Sequence, residues 1–504
     1  MPLLFRVENP VEGAGGLPVS TVATPPSAGR LSPPEDAGAD TLHMRRAVAM
    51  PQAVTAWLQD ILRERFNADI TLRETDTGHH ELNVPGLNHV VRIRNDYEHF
   101  ERNPRNLPCG RWTPGNARWL PQPWHSLPAP GMAVAPTPLV THDEHAGRST
   151  LHYDVLGLTY WMLSRREEVD ADGLLDANQR FPAEASHAWR HGYLDRPIVD
   201  EWMEVLRRVM QAAWPGLPLR ETHYSLWLTH DVDTPARYGF LSATRLARAM
   251  CADIARRRPF GTILRAPSIR RTCRWLLDTR DPYNTFDWIM QRSEQAGLRS
   301  TFFFICGRTD PRRDAHYRPE DPAIIELMQR IHVRGHEIGL HPSYHCHLNP
   351  QALCAEADRL REACARAGIV LPKVGARMHY LRWSTPATLH ALTGAGLAYD
   401  ATLGYAKQPG FRCGTCHEYP AFDPVAQRAL PLRIRPLIVM ESTVIGNVLP
   451  ETVEAAEDTL QRLMEACRRV RGRYTVLWHN TQLEHALHRR LYTQLIAHHQ
   501  GGRS

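Results

Sequence analysis

From residue 225 onward, short apolar segments alternate with helix-like segments. Such alternation predicts parallel strands that helices cover on both faces, the pattern of an α/β layer or barrel. The strand candidates are 225–233, 300–306, 336–343, 373–380, 397–403, 435–442 and 474–480. The helix candidates are 322–333, 351–367, 386–393 and 452–470. We therefore expect residues 221–504 to form one α/β domain.

The amino-terminal half has a different texture. A chain of 504 residues exceeds the size at which one core stops growing, so two domains are expected. Residues 46–220 carry helix-like segments at 53–66 and 199–214 and strand candidates at 68–74 and 89–95, which predicts a separate α+β domain of unknown role. Residues 1–45 are rich in Pro, Gly, Ala and Ser and predict a disordered leader.

Composition excludes several function classes. The net charge of +6 is spread over 60 basic and 54 acidic residues without a continuous basic arm, so no nucleic-acid partner is expected. Lys373 and Lys407 are the only lysines, and neither lies in a phosphate-binding G-x-x-x-x-G-K-[ST] loop. No apolar segment approaches the roughly 20 residues of a transmembrane helix, and no signal-peptide core follows the start. We expect a cytoplasmic protein with reduced thiols; its oligomeric state stays open.

Polar side chains follow the predicted strands at or near their carboxyl ends, where βα folds collect catalytic groups. In THDVD, alternation places Asp231 and Asp233 on one face, where two carboxylates repel and a cation commonly stabilises them. A helix cap at the strand end is the alternative reading. His341 and His345 are spaced for one metal, a weak signal alone because the chain has 27 histidines.

Five segments occur in the order of the five motifs of polysaccharide deacetylases, the family of chitin and peptidoglycan deacetylases. They are THDVD, GHEIGLHPSYH, ARMHYLRW, YDATLGY and VLWHN, within residues 223–482. The chain thus resembles this family. The resemblance implies a distorted (β/α)7 barrel and a hydrolase that removes an acetyl group from an N- or O-acetylated sugar.

The resemblance also implies a metal. One divalent ion would be held by Asp233, His341 and His345, with zinc the first choice. Cobalt, nickel, iron or manganese also suit mixed nitrogen and oxygen ligands.

Position by position, the resemblance implies roles for five further residues. Asp231 would be the general base, with Arg377 keeping it ionised. His479 would be the general acid, oriented by Asp400. The backbone around Tyr380 would stabilise the oxyanion.

Two departures from the family pattern stand out: Val232 separates the two aspartates, and Arg377-Met378-His379 replaces R-x-P. His379 either contacts substrate or packs, and packing is the favoured reading. Tyr344 and Arg412 are candidate substrate-binding residues. Aromatic residues that suit stacking on sugar rings are Tyr283, Trp288, Tyr344, Tyr380 and Trp383. Without a signal peptide, the expected substrate is a glycan precursor, linked to a nucleotide or a lipid.

Two alternatives compete with the deacetylase reading. Cys413-Gly-Thr-Cys416-His417 is a literal C-x-x-C-H, the attachment pattern of a c-type haem. A redox pair, a zinc knuckle and a loop that shapes the mouth of the site are the other readings of this segment, and the loop is favoured. The second alternative is an inactive barrel that only binds carbohydrate, which the intact set of catalytic residue types opposes.

Overall fold

The computed structural model describes residues 49–75, 78–113, 126–445 and 453–501. The predicted leader at 1–45 lies outside the described residues. Residues Ala47–Ser504 form one compact unit. A separate domain that ends at residue 220 therefore stays a prediction. None of the described helices is long and apolar enough to cross a membrane.

The amino-terminal part combines helices with a small mixed sheet. The helices are α1 (Gln52–Phe66), α2 (Tyr97–Arg102), α3 (Val155–Leu163), α4 (His187–Arg190) and α5 (Ile198–Ala213). The strands are β1 (Thr71–Glu74), β2 (His79–Asn83), β3 (Val90–Arg94), β4 (Cys109–Trp112), β5 (Leu127–Pro130), β6 (Val140–Asp143) and β7 (Arg148–Leu151). One sheet has the order β1-β2-β3-β7-β6, and β4 pairs with β5. The predicted helices correspond to α1 and α5, and the predicted strands to β1 and β3.

The carboxyl-terminal part is built on one large sheet. Its strands are β8 (Ser225–Val232), β9 (Ser300–Phe304), β10 (Glu337–Leu340), β11 (Gly375–Ala376), β12 (Tyr399–Asp400), β13 (Tyr419–Asp423), β14 (Arg428–Ile434), β15 (Val439–Met440) and β16 (Arg473–Leu477). Its helices are α6 (Ala243–Ala255), α7 (Phe260–Thr272), α8 (Phe286–Gln295), α9 (Pro322–Val333), α10 (Pro350–Arg366), α11 (Ala387–Gly394), α12 (Glu441–Ile445), α13 (Val453–Arg469) and α14 (Ala486–Gly501). The predicted α/β class is confirmed.

The order of the large sheet is β13-β14-β12-β11-β10-β9-β8-β16-β15, and only β13 and β14 pair antiparallel. Every residue of β9 is buried, as expected for a parallel strand covered on both faces. The hairpin of β13 and β14 was not predicted. The polar residues that follow the parallel strands meet at one edge of the sheet.

One segment links the two sides of this sheet. Its first part, β14, pairs with β12, and its last part, β15, pairs with β16. Between them, the Leu437 amide donates to the Leu403 carbonyl (3.1 Å) and the Ile438 amide to the Thr475 carbonyl (3.2 Å). The strand order itself is open, so a closed (β/α)7 barrel stays a prediction.

The two parts of the chain contact each other through buried side chains. The indole of Trp57 in α1 donates to the carbonyl of Pro420 in β13 (3.0 Å), and its ring lies 4.7 Å from that of Phe422. The amino-terminal part therefore packs against the β13–β14 hairpin of the large sheet.

Candidate active site

A cavity of about 410 Å³ opens at the carboxyl ends of β8, β10 and β16. Its walls include five side chains that the sequence singles out: Asp231, Asp233, His341, His379 and His479. Asp231 is the second-last residue of β8, and the other four side chains follow a parallel strand by one to three residues. The topology thus brings together residues that are up to 248 positions apart in the sequence.

Three of these residues converge on one point. The Nε2 atom of His341 lies 3.2 Å from Oδ1 of Asp233, and the Nε2 atom of His379 lies 3.7 Å from the same oxygen. One donor atom from each residue falls within 4.8 Å of the others, a geometry that could hold a metal ion.

Both histidines are held by their other ring nitrogen. Nδ1 of His341 lies 2.5 Å from the Arg377 carbonyl, and Nδ1 of His379 lies 2.9 Å from Oδ1 of Asp314. An acceptor at Nδ1 fixes the tautomer that carries its proton there and leaves the Nε2 lone pair free, as in metal-bound histidines. Asp314 is fixed in turn by the amide of Tyr344 (2.8 Å).

Asp233 completes a donor set that fits a divalent metal. Burial acts to raise the pKa of Asp233, but the neighbouring His379, His341 and His479 outweigh it and hold the pKa well below its usual range. Its Oδ1 atom has no hydrogen-bond partner within the described residues. An ionised oxygen without a partner, faced by two imidazole nitrogens, is the donor chemistry of zinc and related ions.

His345 lies apart from this group. Its side chain is 53% exposed, and its Nε2 atom is 3.9 Å from Asp310. Two backbone hydrogen bonds hold the segment around His345 in this position. The Ser343 amide donates to Glu356 (2.9 Å), and the His345 amide donates to Thr309 Oγ1 (2.8 Å). The structure does not bring His345 to Asp233 and His341, and His379 lies where the predicted third ligand was expected.

Asp231 and Arg377 are paired as the sequence predicts. The guanidinium of the fully buried Arg377 donates to Oδ1 of Asp231 (3.0 Å) and to Thr229 Oγ1 (2.8 Å). The other oxygen, Oδ2, lies 3.6 Å from Nε2 of His341. One oxygen of Asp231 is therefore anchored by a cation, and the other faces the candidate metal position.

His479 is oriented by a residue that the sequence analysis missed. Its Nδ1 atom lies 2.7 Å from Oε1 of the buried Glu441, at the end of β15. Burial acts to lower the pKa of His479, but Glu441, with Asp233 and Asp231, raises the pKa to about 10. A histidine with this pKa is protonated at neutral pH and can donate a proton.

Asp400 does not contact His479 within the described residues. It accepts hydrogen bonds from the amide and hydroxyl of Thr402, and burial raises its pKa to about 7. Glu441, and not Asp400, is the carboxylate that contacts His479 in the structure. Asp400 ends β12 and Glu441 follows β15, and of these two strands only β15 lies beside β16, which precedes His479.

Tyr380 lines the cavity, and its backbone has a conformation that is rare for residues other than glycine. Its φ angle is +61° and that of Leu381 is +54°. Two consecutive non-glycine residues with positive φ store strain of the kind that concentrates at functional sites. Arg180 donates to the Tyr380 carbonyl (3.1 Å) and helps to hold this conformation.

The other predicted substrate-binding residues lie outside the cavity walls. Tyr344 is buried between Arg382 and Arg313, whose guanidinium carbons lie 4.0 and 4.5 Å from its ring. Arg412 is buried against Glu168, with two hydrogen bonds of 2.8 and 2.7 Å. Of the five aromatic residues proposed for sugar stacking, Tyr380 alone lines this cavity.

The C-x-x-C-H segment is buried elsewhere. Asp200 of α5 accepts from the Cys416 amide (2.8 Å) and from the Thr415 hydroxyl (2.7 Å). The Nε2 atom of His417 lies 3.1 Å from the Val470 carbonyl. Cys413 and Cys416 are both buried, and neither lines the cavity that contains Asp231. The segment attaches α5 to the large sheet.

Comparisons with known proteins match different parts of the chain. Residues 63–215 match the model of a family of unknown function (DUF7033). No curated protein matches. A putative polysaccharide deacetylase from Mycobacterium smegmatis is similar in structure at 19% identity and a TM-score of 0.35, over 55% of this chain and 84% of that one. The chitin deacetylase from Colletotrichum lindemuthianum is 16% identical, with a TM-score of 0.29 over 55% and 83%.

Another similar structure is Puue allantoinase, at 12% identity and a TM-score of 0.32, over 57% of this chain and 87% of that one. The similar structures thus include an allantoinase as well as deacetylases. At these scores the likeness carries no argument about the reaction, and the interpretation of the site depends on its own geometry.

Proposed function

We propose that this protein is a metal-dependent deacetylase of an acetylated sugar or glycan precursor, and that Asp233, His341 and His379 hold the metal. The observation that carries the proposal is the convergence of these three donors in the cavity that also contains Asp231 and His479. A metal-dependent hydrolase of this kind needs a base, an acid and a metal ion that acts as a Lewis acid, all at one place. This cavity offers side chains for the base, the acid and the metal ligands.

The bound metal would polarise the acetyl carbonyl and lower the pKa of a water molecule. Asp231 takes the proton of the attacking water through Oδ2, while the hydrogen bond from Arg377 to Oδ1 keeps the carboxylate oriented. His479, protonated because of Glu441, gives a proton to the departing amine or alcohol. An amine is the poorer leaving group, so an amide substrate depends on this proton most.

The cavity wall supports a substrate with an anionic group. Arg180, Arg312 and Arg313 line it together with Tyr380. Arg180 and Arg313 pair with Asp176 and Asp310, whereas Arg312 has no ion pair within the described part of the chain. Guanidinium groups bind phosphate well, which favours a nucleotide- or lipid-linked sugar over a neutral oligosaccharide. The cytoplasmic location remains part of this proposal.

The test compares two histidine variants. His379→Ala should lose the metal measured by elemental analysis, and acetate release should fall by more than about 1,000-fold because the electrophile is gone. His345→Ala is the matched control, because its exposed imidazole makes no contact with Asp233. It should keep the metal and turn over within about threefold of the unchanged protein.

The reverse result would contradict the ligand assignment. If His345→Ala lost the metal and His379→Ala kept it, the family's histidine spacing would define the site after all. If the unchanged protein, loaded with zinc, cobalt or nickel, released no acetate from any nucleotide- or lipid-linked acetylated sugar, the deacetylase proposal would fail.

A further inference from the structure

The excess positive charge of the chain is concentrated in one segment of the carboxyl-terminal part. Residues 243–280, here called the basic hairpin, contain ten arginines, two aspartates and no other charged residue, a net charge of +8 against +6 for the whole chain. The hairpin consists of α6, α7 and the turns that follow them, and α6 packs against α7. It is inserted between β8 and α8, at the edge of the sheet that carries the active-site cavity.

The same hairpin exposes large apolar side chains. The exposed fractions are 54% for Ile254, 65% for Phe260, 63% for Leu264, 73% for Trp275 and 43% for Leu276. Apolar side chains at this density on one short hairpin are unusual for a surface that faces only water.

The periodicity of α7 separates a packed face from a free face. Ile263, Ala266 and Ile269 are buried, at a spacing of three residues. Phe260 and Leu264, four residues apart, lie on the opposite face, and Arg271 continues this face seven residues later. The free face therefore combines large apolar side chains with a cation.

Most of the hairpin's arginines have no ion-pair or side-chain hydrogen-bond partner among the described residues. Arg258 is neutralised by Glu484, with two contacts of 2.6 and 2.7 Å, and by Asp253, which Arg237 also contacts. No ion pair or side-chain hydrogen bond within the described residues engages Arg248, Arg256, Arg257, Arg265, Arg271 and Arg274. The hairpin thus presents unpaired cations beside exposed apolar groups.

We infer that the basic hairpin docks on a membrane surface that contains anionic lipids. Phe260, Leu264 and Trp275 enter the boundary between headgroups and acyl chains, while the unpaired arginines contact lipid phosphates. A nucleic acid would use the arginines but would leave aliphatic side chains such as Leu264 exposed, so the apolar component favours lipid.

Docking in this orientation brings the membrane close to the active site. Arg270 donates to the carbonyl of Leu241 (2.7 Å), and Leu241 lines the active-site cavity. A second cavity of about 340 Å³ shares Phe240, Leu241 and His316 with the first and is also lined by Cys273 and Arg274 of the hairpin. A headgroup that projects from the membrane beside the hairpin thus has a short path to the active-site cavity. The docking itself does not depend on the reaction proposed above.

The test measures binding of the full chain to vesicles by flotation. Vesicles of phosphatidylcholine and phosphatidylglycerol in equal parts should bind the protein, pure phosphatidylcholine vesicles should not, and added salt should weaken binding. Two separate variants, F260S/L264S/W275S and R256Q/R257Q/R265Q/R271Q, should each lose more than about tenfold in partitioning.

The matched control is V333S/V370S. These valines are 84% and 81% exposed, but Val333 ends α9 and Val370 lies between α10 and β11, at the amino-terminal ends of the parallel strands and away from the hairpin. Their replacement should leave vesicle binding unchanged. All variants should keep the thermal unfolding midpoint and the metal content, which separates a docking defect from damage to the active site.

The inference is overturned if the protein binds neither vesicle type, if it binds both equally, or if either hairpin variant binds like the unchanged protein. It is also overturned if duplex DNA displaces the vesicles and still binds the apolar variant, because the surface would then recognise nucleic acid.

Discussion

Among the described residues, two of the three groups of potential metal ligands differ in what their donor atoms already contact. In the group of Asp233, His341 and His379, the Nε2 atoms of both histidines point at a carboxylate oxygen that has no hydrogen-bond partner within the described residues. In the group of Asp200, Cys416 and His417, the carboxylate accepts four hydrogen bonds, one of them from the Cys416 thiol, and the imidazole Nε2 lies against a carbonyl.

When residue types are similar, the hydrogen bonds that the donor atoms already make distinguish a candidate binding site from a packing contact. Burial raises the pKa of Cys416 well above its usual range, so this side chain is a neutral thiol and a poor ligand. The first group keeps an ionised carboxylate oxygen without a hydrogen-bond partner among the described residues beside a cavity, at an energetic cost that a bound cation would offset. The second group uses the same kinds of atoms to join α5 to the large sheet.

Among the residues proposed to transfer protons, the largest effect is expected at the base. Asp231→Asn should lower acetate release by about 100-fold or more while the metal content is unchanged, because Asp231 takes a proton and is not among the three proposed ligands. Turnover and elemental analysis of the same preparation test this. Loss of the metal would move Asp231 into the ligand set, and unchanged turnover would place the base elsewhere.

An intermediate effect is expected at the acid. Glu441→Gln should lower turnover of an amide substrate by about tenfold and that of an activated ester less, because the neutral side chain no longer favours protonated His479. Asp400→Asn is the matched control and should leave the ratio of amide to ester turnover unchanged. If only the Asp400 variant changed that ratio, the family-derived assignment of Asp400 would be correct and the contact with Glu441 incidental.

The bounds of the predicted helices match the structure more closely than the bounds of the predicted strands. The helix at 322–333 was predicted with the bounds of α9, because Pro322 suits the first helical position and a glycine follows the end. The strand candidates at 373–380 and 397–403 shrink to two-residue strands, β11 and β12. A run of apolar residues indicates an extended, buried backbone. The number of residues that pair as a strand, however, depends on the neighbouring strands, and the sequence of one segment does not contain that information.

The structure brings the candidate site residues together best where motif and strand end coincide, as for Asp231, Asp233, His341, Arg377 and His479. His379 was interpreted as packing because a change from proline to histidine in a turn needs no chemical reason. Glu441 was missed although it nearly ends the strand candidate at 435–442, the position that identified the other polar residues. Partners such as Asp314 are distant in sequence and belong to no motif, so the fold alone reveals them.

The smallest effect on turnover, and a clear effect on stability, is expected at the second ligand group. Asp200 is 2% exposed and accepts from Arg65, Thr415 and the Cys416 amide. Asp200→Asn removes the charge that these donors face, which should lower the free energy of unfolding by about 1–3 kcal/mol. Acetate release and metal content per folded molecule should not change.

Asp195→Asn is the control, because its carboxylate is exposed and lies 3.6 Å from Arg462, a surface pair worth less than about 1 kcal/mol. Urea unfolding of both variants, with elemental analysis, measures the difference. If Asp200→Asn kept its stability and lost the metal, the cysteine segment would be the metal centre, and the distinction between the two groups would be reversed.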